Sequence, residues 1–370
     1  MLVSILIFIL VLSILILVHE LGHFIVARKS GIKVEEFGFG LPPRLFGKKI
    51  GETIYSINAL PFGGFVRLHG EQEETEETNI RRSFLHKSKK KRFLVVIAGV
   101  IMNFLLAIVC FAIVYSFSGV PKETGRLKVI DISTDSPAQK AGIVVGDVIT
   151  KIGKDSVSSS NDFIEKTATL KGKSTSFEIE RTVGDQKSNL KINLTPRENP
   201  PEGEGPIGVT ITTMEIYFPP VLLRPFYGIY YGFKDALYWG KTIAVGLWDL
   251  IAGVFRGVAP KDVSGPIGIF AITTEAAKSG ILTLINFVGL LSVNLAVLNI
   301  LPFPALDGGR LLFIGIEAIT RKKVSSKLEG TIHSIGMIIL LSLLLLITIG
   351  DIRRLITFKG IEGFINSMVK

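Results

Sequence analysis

His19, Glu20 and His23 fall within His19-Glu20-Leu21-Gly22-His23, at the end of an unbroken apolar run from Met1 to Val18. On a helix, residues four apart lie about 40° apart around the axis, so the two imidazoles share a face and can offer nitrogens to one metal ion. Glu20 flanks them, where a carboxylate can take a proton from an attacking water. The same spacing arises by chance on ordinary helices. Here, however, two histidines and a glutamate sit at the edge of a lipid-facing segment, where each costs free energy unless it is paired or ligated. The chemistry implied is metal-assisted hydrolysis, and Zn2+ is the ion that this motif and ligand set favour.

A catalytic zinc takes three protein ligands and leaves one position open, so the histidine pair needs a partner from elsewhere. Asp307 is the best candidate. It lies in the run Asn299-Ile300-Leu301-Pro302-Phe303-Pro304-Ala305-Leu306-Asp307-Gly308-Gly309, at the end of an apolar segment. Pro302 and Pro304 interrupt the helix and free backbone groups that lipid cannot satisfy, and such backbone is tolerated at membrane depth only inside protein or beside a wet cavity. A plain helix-ending loop would also use Asp-Gly-Gly. Glu317 and Asp351 stand near segment ends too, without the broken helix.

The elements that must position these residues are membrane spans. The chain has 370 residues, and its mean hydropathy of +0.47 is far above that of a soluble protein. Four stretches approach the roughly 20 residues that cross a bilayer as helix: Met1 to about Ala27, Phe93 to Phe117, Ile281 to Leu301 and Ile332 to Ile349. A cleaved signal peptide is the rival for the first, but it has no basic leader or small-residue cleavage site, and cleavage would discard the histidines. The net charge of +10 does not point to nucleic acid, because the basic residues cluster beside the spans. Lys87 and Lys89 to Arg92 precede the second span; Arg310, Arg321, Lys322, Lys323 and Lys327 lie between the third and fourth. The positive-inside rule makes both loops cytoplasmic and puts the long segment between spans two and three outside, although Arg353, Arg354 and Lys359 after the fourth span count against it. His19 then lies about 27 Å along the first helix, towards its cytoplasmic end, and the third span delivers Asp307 to the same side. Cys110 is the only cysteine, so no disulfide is available. His69, His86 and His333 have no ligand-spaced neighbour and read as surface or packing residues.

The chain resembles the bacterial site-2 proteases of the regulator-of-sigma type, a family of intramembrane zinc metalloproteases. The resemblance rests on His19 to Phe24 with Ala27-Arg28, on Phe37-Gly38-Phe39-Gly40, on Pro61 to Val66, on Val263 to Gly268 and on Asn299 to Gly309. It implies that His19, His23 and Asp307 hold the metal, that Glu20 is the general base, and that Asn299 stands beside the reacting centre, where its amide is a candidate oxyanion donor. It also favours a re-entrant β-element for Val34 to His69, whose alternation in Thr53 to Asn58 would otherwise fit an ordinary cytoplasmic hairpin; such an element could pair its free edge with an extended substrate.

Between about Gly125 and Arg197 the periodicity becomes that of a small soluble domain. Strands are expected at Leu127–Ile132, Asp147–Ile152, Ser176–Arg181 and Asn189–Leu194, with helices at Ser136–Ala141 and Asn161–Leu170. The run Ser136-Pro137-Ala138, Ala141-Gly142-Ile143 and Gly146 to Ile149 resembles bacterial PDZ domains. Some site-2 proteases carry two such domains in tandem; the space here fits one. Pro225 to Pro260, rich in aromatics but carrying Lys234, Asp235, Lys241 and Asp249, reads as amphipathic helix on the outer membrane surface, with a fifth crossing near Ile243 to Phe255 as rival.

The expected architecture is a multi-pass α-helical membrane protein of about four transmembrane helices, with a re-entrant β-element and an extracytoplasmic PDZ-like α+β domain. Its segments are a membrane core at 1–118, the PDZ-like domain at 119–205, a strand and surface helices at 206–275, and a second membrane core at 276–370. The expected function is zinc-dependent cleavage of transmembrane segments of single-pass proteins in the bacterial cytoplasmic membrane, with anti-sigma factors or remnant signal peptides as the substrates the resemblance implies. A catalytically silent PDZ-bearing receptor is the alternative, which the intact His19, Glu20, His23 and Asp307 disfavour; a transporter would call for inverted repeats that the sequence lacks.

Overall fold

The computed structural model describes residues 2–71, 77–184, 186–257, 264–358, 360 and 363; Pro260, Val263 and Lys359 lie outside them. Contacts divide the chain into two compact units, Met1–Phe117 with Leu222–Lys370, and Ser118–Val221.

The first unit opens with helix α1 (Leu2–Lys29). Its buried Val11, Leu15, His19 and Gly22 recur at three- and four-residue intervals and form one stripe. Strands β1 (Val34–Ile50) and β2 (Thr53–Leu68) follow. They meet twice: Phe37 lies opposite both Val66 and Tyr55, so the first half of β1 is flanked on each side by a segment of β2. The β-element folds back along α1. Ser13 donates its hydroxyl to the Pro61 carbonyl at 3.3 Å, and a Cβ on Gly63 would lie 3.4 Å from Ile16. The 61–64 segment of β2 therefore runs beside the middle of α1, roughly 9 Å along its axis from His19. Helix α2 (Lys89–Ser118) is the next apolar segment. Gly22 of α1 abuts the Ala98 backbone of α2, where any side chain would collide with the Ala98 carbonyl.

The second unit begins at β3 (Val120–Ile132), followed by the short α3 (Pro137–Lys140), β4 (Val148–Ile152), β5 (Asp155–Ser156), α4 (Ser160–Thr169), β6 (Thr175–Val183), β7 (Gln186–Leu194) and β8 (Val209–Tyr217). The sheet order is β7-β6-β4-β3-β8, with β5 beside β4. Ser136 and Ser159 cap the two helices by accepting the N–H groups of Gln139 and Asp162. Leu127, Val129, Ile149, Phe163, Phe177, Ile179 and Ile207 form the core. Buried Asp147 accepts two bonds from Arg181, each 2.8 Å, and the Val144 N–H at 2.9 Å, fastening the loop before β4 to β6. The expected boundary at 205 left out β8, which pairs with β3 from Val120↔Tyr217 to Ile132↔Val209, so the compact unit runs on to Val221.

The first unit resumes with α5 (Arg224–Phe255), α6 (Pro266–Lys278), α7 (Ile281–Ile300), α8 (Asp307–Thr320) and α9 (Ser326–Thr357). Among the described residues four helices are long and apolar enough to cross a membrane: α1, α2, α7 and α9. Only 11% of the most apolar window of α9 is buried, so the rest of that surface needs an apolar solvent. Helix α5 is continuous and is not one of the four. Its Gly228 and Gly232 lie against the Ala112 backbone of α2, while Ala236, Trp239 and Ile243 share a cluster with Ala107 and Phe111 of α2 and Val293 of α7.

Candidate metal centre

His19 and His23 project from successive turns of α1, and Asp307 from the first turn of α8, just past the break that ends α7. Their ligand atoms converge. Asp307 Oδ2 lies 3.0 Å from His19 Nε2 and 3.2 Å from His23 Nε2, and the two Nε2 atoms are 3.1 Å apart. Tetrahedral zinc with bonds of 2.0–2.1 Å separates its ligand atoms by about 3.3 Å, so the triangle is close to the size a zinc ion needs. Among the described residues this is the one cluster of three or more His, Cys, Asp or Glu side chains able to share a metal. Asp307 Oδ2 is buried without a hydrogen-bond partner, as an oxygen reserved for a cation would be. The donor set of two imidazoles and a carboxylate fits zinc.

Helix α2 orients both rings. His23 Nδ1 lies 2.8 Å from the Val95 carbonyl, which can only accept, so Nδ1 carries the proton and Nε2 is left with its lone pair for the metal. His19 Nδ1 faces the Asn103 side-chain amide at 3.3 Å, with Nδ2 the atom turned towards it. A ligating His19 must donate from Nδ1, and Asn103 Oδ1 is buried with no partner; exchanging the two amide atoms lets Oδ1 accept that proton. Gly99 makes room for the rings. A Cβ there would stand 2.5 Å from His23 Nε2 and 2.6 Å from His19 Cε1. The spacing within α1 could not disclose these contacts, although an asparagine within the apolar run of the second span was a visible signal for Asn103.

Glu20, His23 and Asp307 line a cavity of about 790 Å³. Phe65, Val66 and Leu68 of β2 form one wall; Arg310 of α8 and Glu329, His333 and Met337 of α9 form another. Arg310 is ion-paired with Glu71, just past β2, which ties the β-element to the helix bearing Asp307. Gly64 runs past Glu20, since a Cβ on it would lie 3.8 Å from Glu20 Cγ. Residues 64–68 pair with β1 on one side, and among the described residues no strand pairs with the other. Asn299 is half-buried in the last turn of α7 and does not line the cavity. The two rival carboxylates are engaged elsewhere. Glu317 is ion-paired with Arg92 and accepts the Val324 N–H at 3.0 Å, and Asp351 accepts the N–H groups of Gly265 and Gly268, each at 3.0 Å, at the start of α6.

The model of Peptidase family M50 matches residues 7–343. A protein of Clostridium acetobutylicum with a zinc-metalloprotease name is 38% identical over 96% of this chain and 99% of its own length. One of Clostridium perfringens, named likewise, is 38% identical over 92% and 96%. Zinc metalloprotease RasP of Geobacillus kaustophilus is 31% identical over 95% and 98%. The chain belongs to peptidase family M50 and is an intramembrane zinc metalloprotease. Among solved structures, the PDZ domain of the SdrC-like protein of Listeria monocytogenes aligns at 26% identity over 25% of this chain and 94% of that one, with a TM-score of 0.20, too low to bear on the fold.

Proposed function

We propose that this protein is an endopeptidase that cuts the transmembrane segments of single-pass proteins of the bacterial cytoplasmic membrane, at a centre on the cytoplasmic side formed by His19, His23, Asp307 and Glu20. The observation that carries the reading is the convergence of His19, His23 and Asp307 beside a cavity whose wall is the unpaired edge of β2. Zinc, when bound, supplies a Lewis acid that activates water and polarises the scissile carbonyl. His19 and His23 hold the ion through Nε2 atoms whose tautomer is set from α2, and Asp307 completes the protein ligands. Glu20 takes the proton of the attacking water and returns it to the leaving amine. A peptide bond within a helix is shielded by its own hydrogen bonding, so the substrate must be extended before attack. Residues 64–68 provide a template, main chain against main chain, for a segment unwound beside Glu20. The β-element beside the middle of α1 supports the re-entrant reading.

The second unit is proposed as a PDZ-like domain outside the membrane. The PDZ-like run Ser136 to Ile149 supports this reading, and a unit in that position filters or docks substrates. Anti-sigma factors and remnant signal peptides are the proposed substrates.

The test is a single-pass peptide reconstituted with the zinc-loaded protein in liposomes, with products located by mass spectrometry. Cleavage is expected inside the apolar segment; cuts confined to the flanks would sink the reading. Glu20→Gln should retain one zinc while hydrolysis falls by about 10²- to 10⁴-fold. Loss of the metal together with activity would make Glu20 structural.

A further inference from the structure

Asp307 is delivered by an unusual stretch of backbone. Between α7 and α8 the chain passes Pro302 and Pro304, and Ala305 takes φ 80°, the left-handed region that residues with a Cβ rarely adopt. Such a turn persists only where its surroundings hold it. Two residues one turn apart on α9 do so. Gly336 packs directly on Pro304, with its Cα face 2.6 Å, at a would-be Cβ, from the Pro304 carbonyl. His333 Nδ1 lies 2.9 Å from the Ala305 nitrogen and accepts its N–H. That bond places the ring proton on Nε2, which is buried, has no hydrogen-bond partner and stands 3.9 Å from Glu329, too far to bond. The ring also packs on Phe313 of α8, centroids 5.8 Å apart. The polar contact made by His333 is therefore with the turn, not with a carboxylate.

We infer that His333 is a positioning residue for the third metal ligand: through Nδ1 it locks the left-handed turn at Ala305, and with it the placement of Asp307. The inference rests on the reading of Asp307 as a ligand. Without the acceptor, the Ala305 N–H is left unpaired beside the cavity and the turn is free to relax, withdrawing the carboxylate from the two histidines. The ion would then be held chiefly by His19 and His23.

The experiment measures zinc affinity of the full chain in detergent, by competition with a chelator, for the parent and for His333→Leu, His333→Asn, His333→Gln and Asp307→Ala. An Asn amide oxygen reaches the position of Nδ1; a Gln amide reaches that of Nε2. His333→Leu and His333→Gln should bind zinc about tenfold more weakly, and His333→Asn should return to within about twofold of the parent. A general packing role would instead make Gln, nearer in size to His, the better replacement, and that order overturns the inference. Parent-like affinity in both His333→Leu and His333→Gln also overturns it, provided Asp307→Ala is weak. If Asp307→Ala itself binds like the parent, the ligand assignment fails rather than the role of His333 alone. Using His333→Gln beside His333→Leu keeps the test decisive should the Leu variant not fold.

Discussion

Replacing Gly99 by alanine is the smallest change that should disable the metal centre without touching a ligand. The added Cβ would stand 2.5 Å from His23 Nε2 and 2.6 Å from His19 Cε1, where ordinary contact begins near 3.4 Å. One or both imidazoles must retreat by close to an ångström, against a tolerance of roughly 0.2 Å in metal–ligand distance. The rings cannot swing away freely, because Val95 holds the other nitrogen of His23 and Asn103 faces that of His19. Overpacking of this kind costs about 1–3 kcal/mol. Falling on the metal-bound geometry, it weakens zinc about 5- to 150-fold. Chelator competition reads the affinity, and circular dichroism of the zinc-free protein separates it from misfolding. A folded Gly99→Ala protein that binds zinc within about twofold of the parent would refute the claim that α2 fixes the rings by close approach at this glycine.

Asn103→Ala should lower zinc affinity about 10- to 100-fold by leaving His19 Nδ1 without its partner; unchanged chelator competition would remove Asn103 from the site. Asp307→Ala should lower zinc occupancy measured by atomic absorption, and full occupancy would show the third ligand to be misassigned. In a Cys110→Ser background, a cysteine at exposed Ser158 should react with an impermeant probe from outside the cell, and cysteines at Ser88 or Ser325 only after permeabilisation; the reverse pattern would overturn the charge-based orientation. Replacing the second unit with a short Gly/Ser linker should leave zinc content and cleavage of a pre-shortened substrate intact while admitting substrates with bulky exported domains. Failure of the folded, zinc-loaded deletion to cut even the shortened substrate would make that unit an obligatory dock.

How much of this was legible depended on the range of the interactions. The helical period put His19, Glu20 and His23 on one helix without reference to anything distant, and the two prolines marked the break that carries Asp307. Local patterning likewise foretold β3, β4, α4 and the strands that became β6 and β7. What escaped depends on partners far along the chain. Val95 and Asn103 act on α1 from α2, and His333, which looked like a packing residue, meets Ala305 across the α8–α9 turn. The assignment of β8 escaped for the same reason: a strand was expected after 205, but only its pairing with β3 places it in the second unit. Asn299 was favoured by its place in the motif, but which wall a helix-end side chain faces depends on how the break folds, and the structure leaves it off the cavity.

The pairing of β3 with β8 carries a further consequence. Val120 lies opposite Tyr217, so the chain enters and leaves the second unit on adjacent strands, about 5 Å apart. A pair of ends this close is what a hairpin presents to its flanking elements. To the membrane helices the whole of Ser118–Val221 is therefore geometrically equivalent to a tight turn joining α2 to α5. Such a unit can be exchanged, enlarged or doubled without changing the separation its neighbours must accommodate, and the linker that replaces it need be only a few residues long. The helical half can keep its own packing while the inserted half changes.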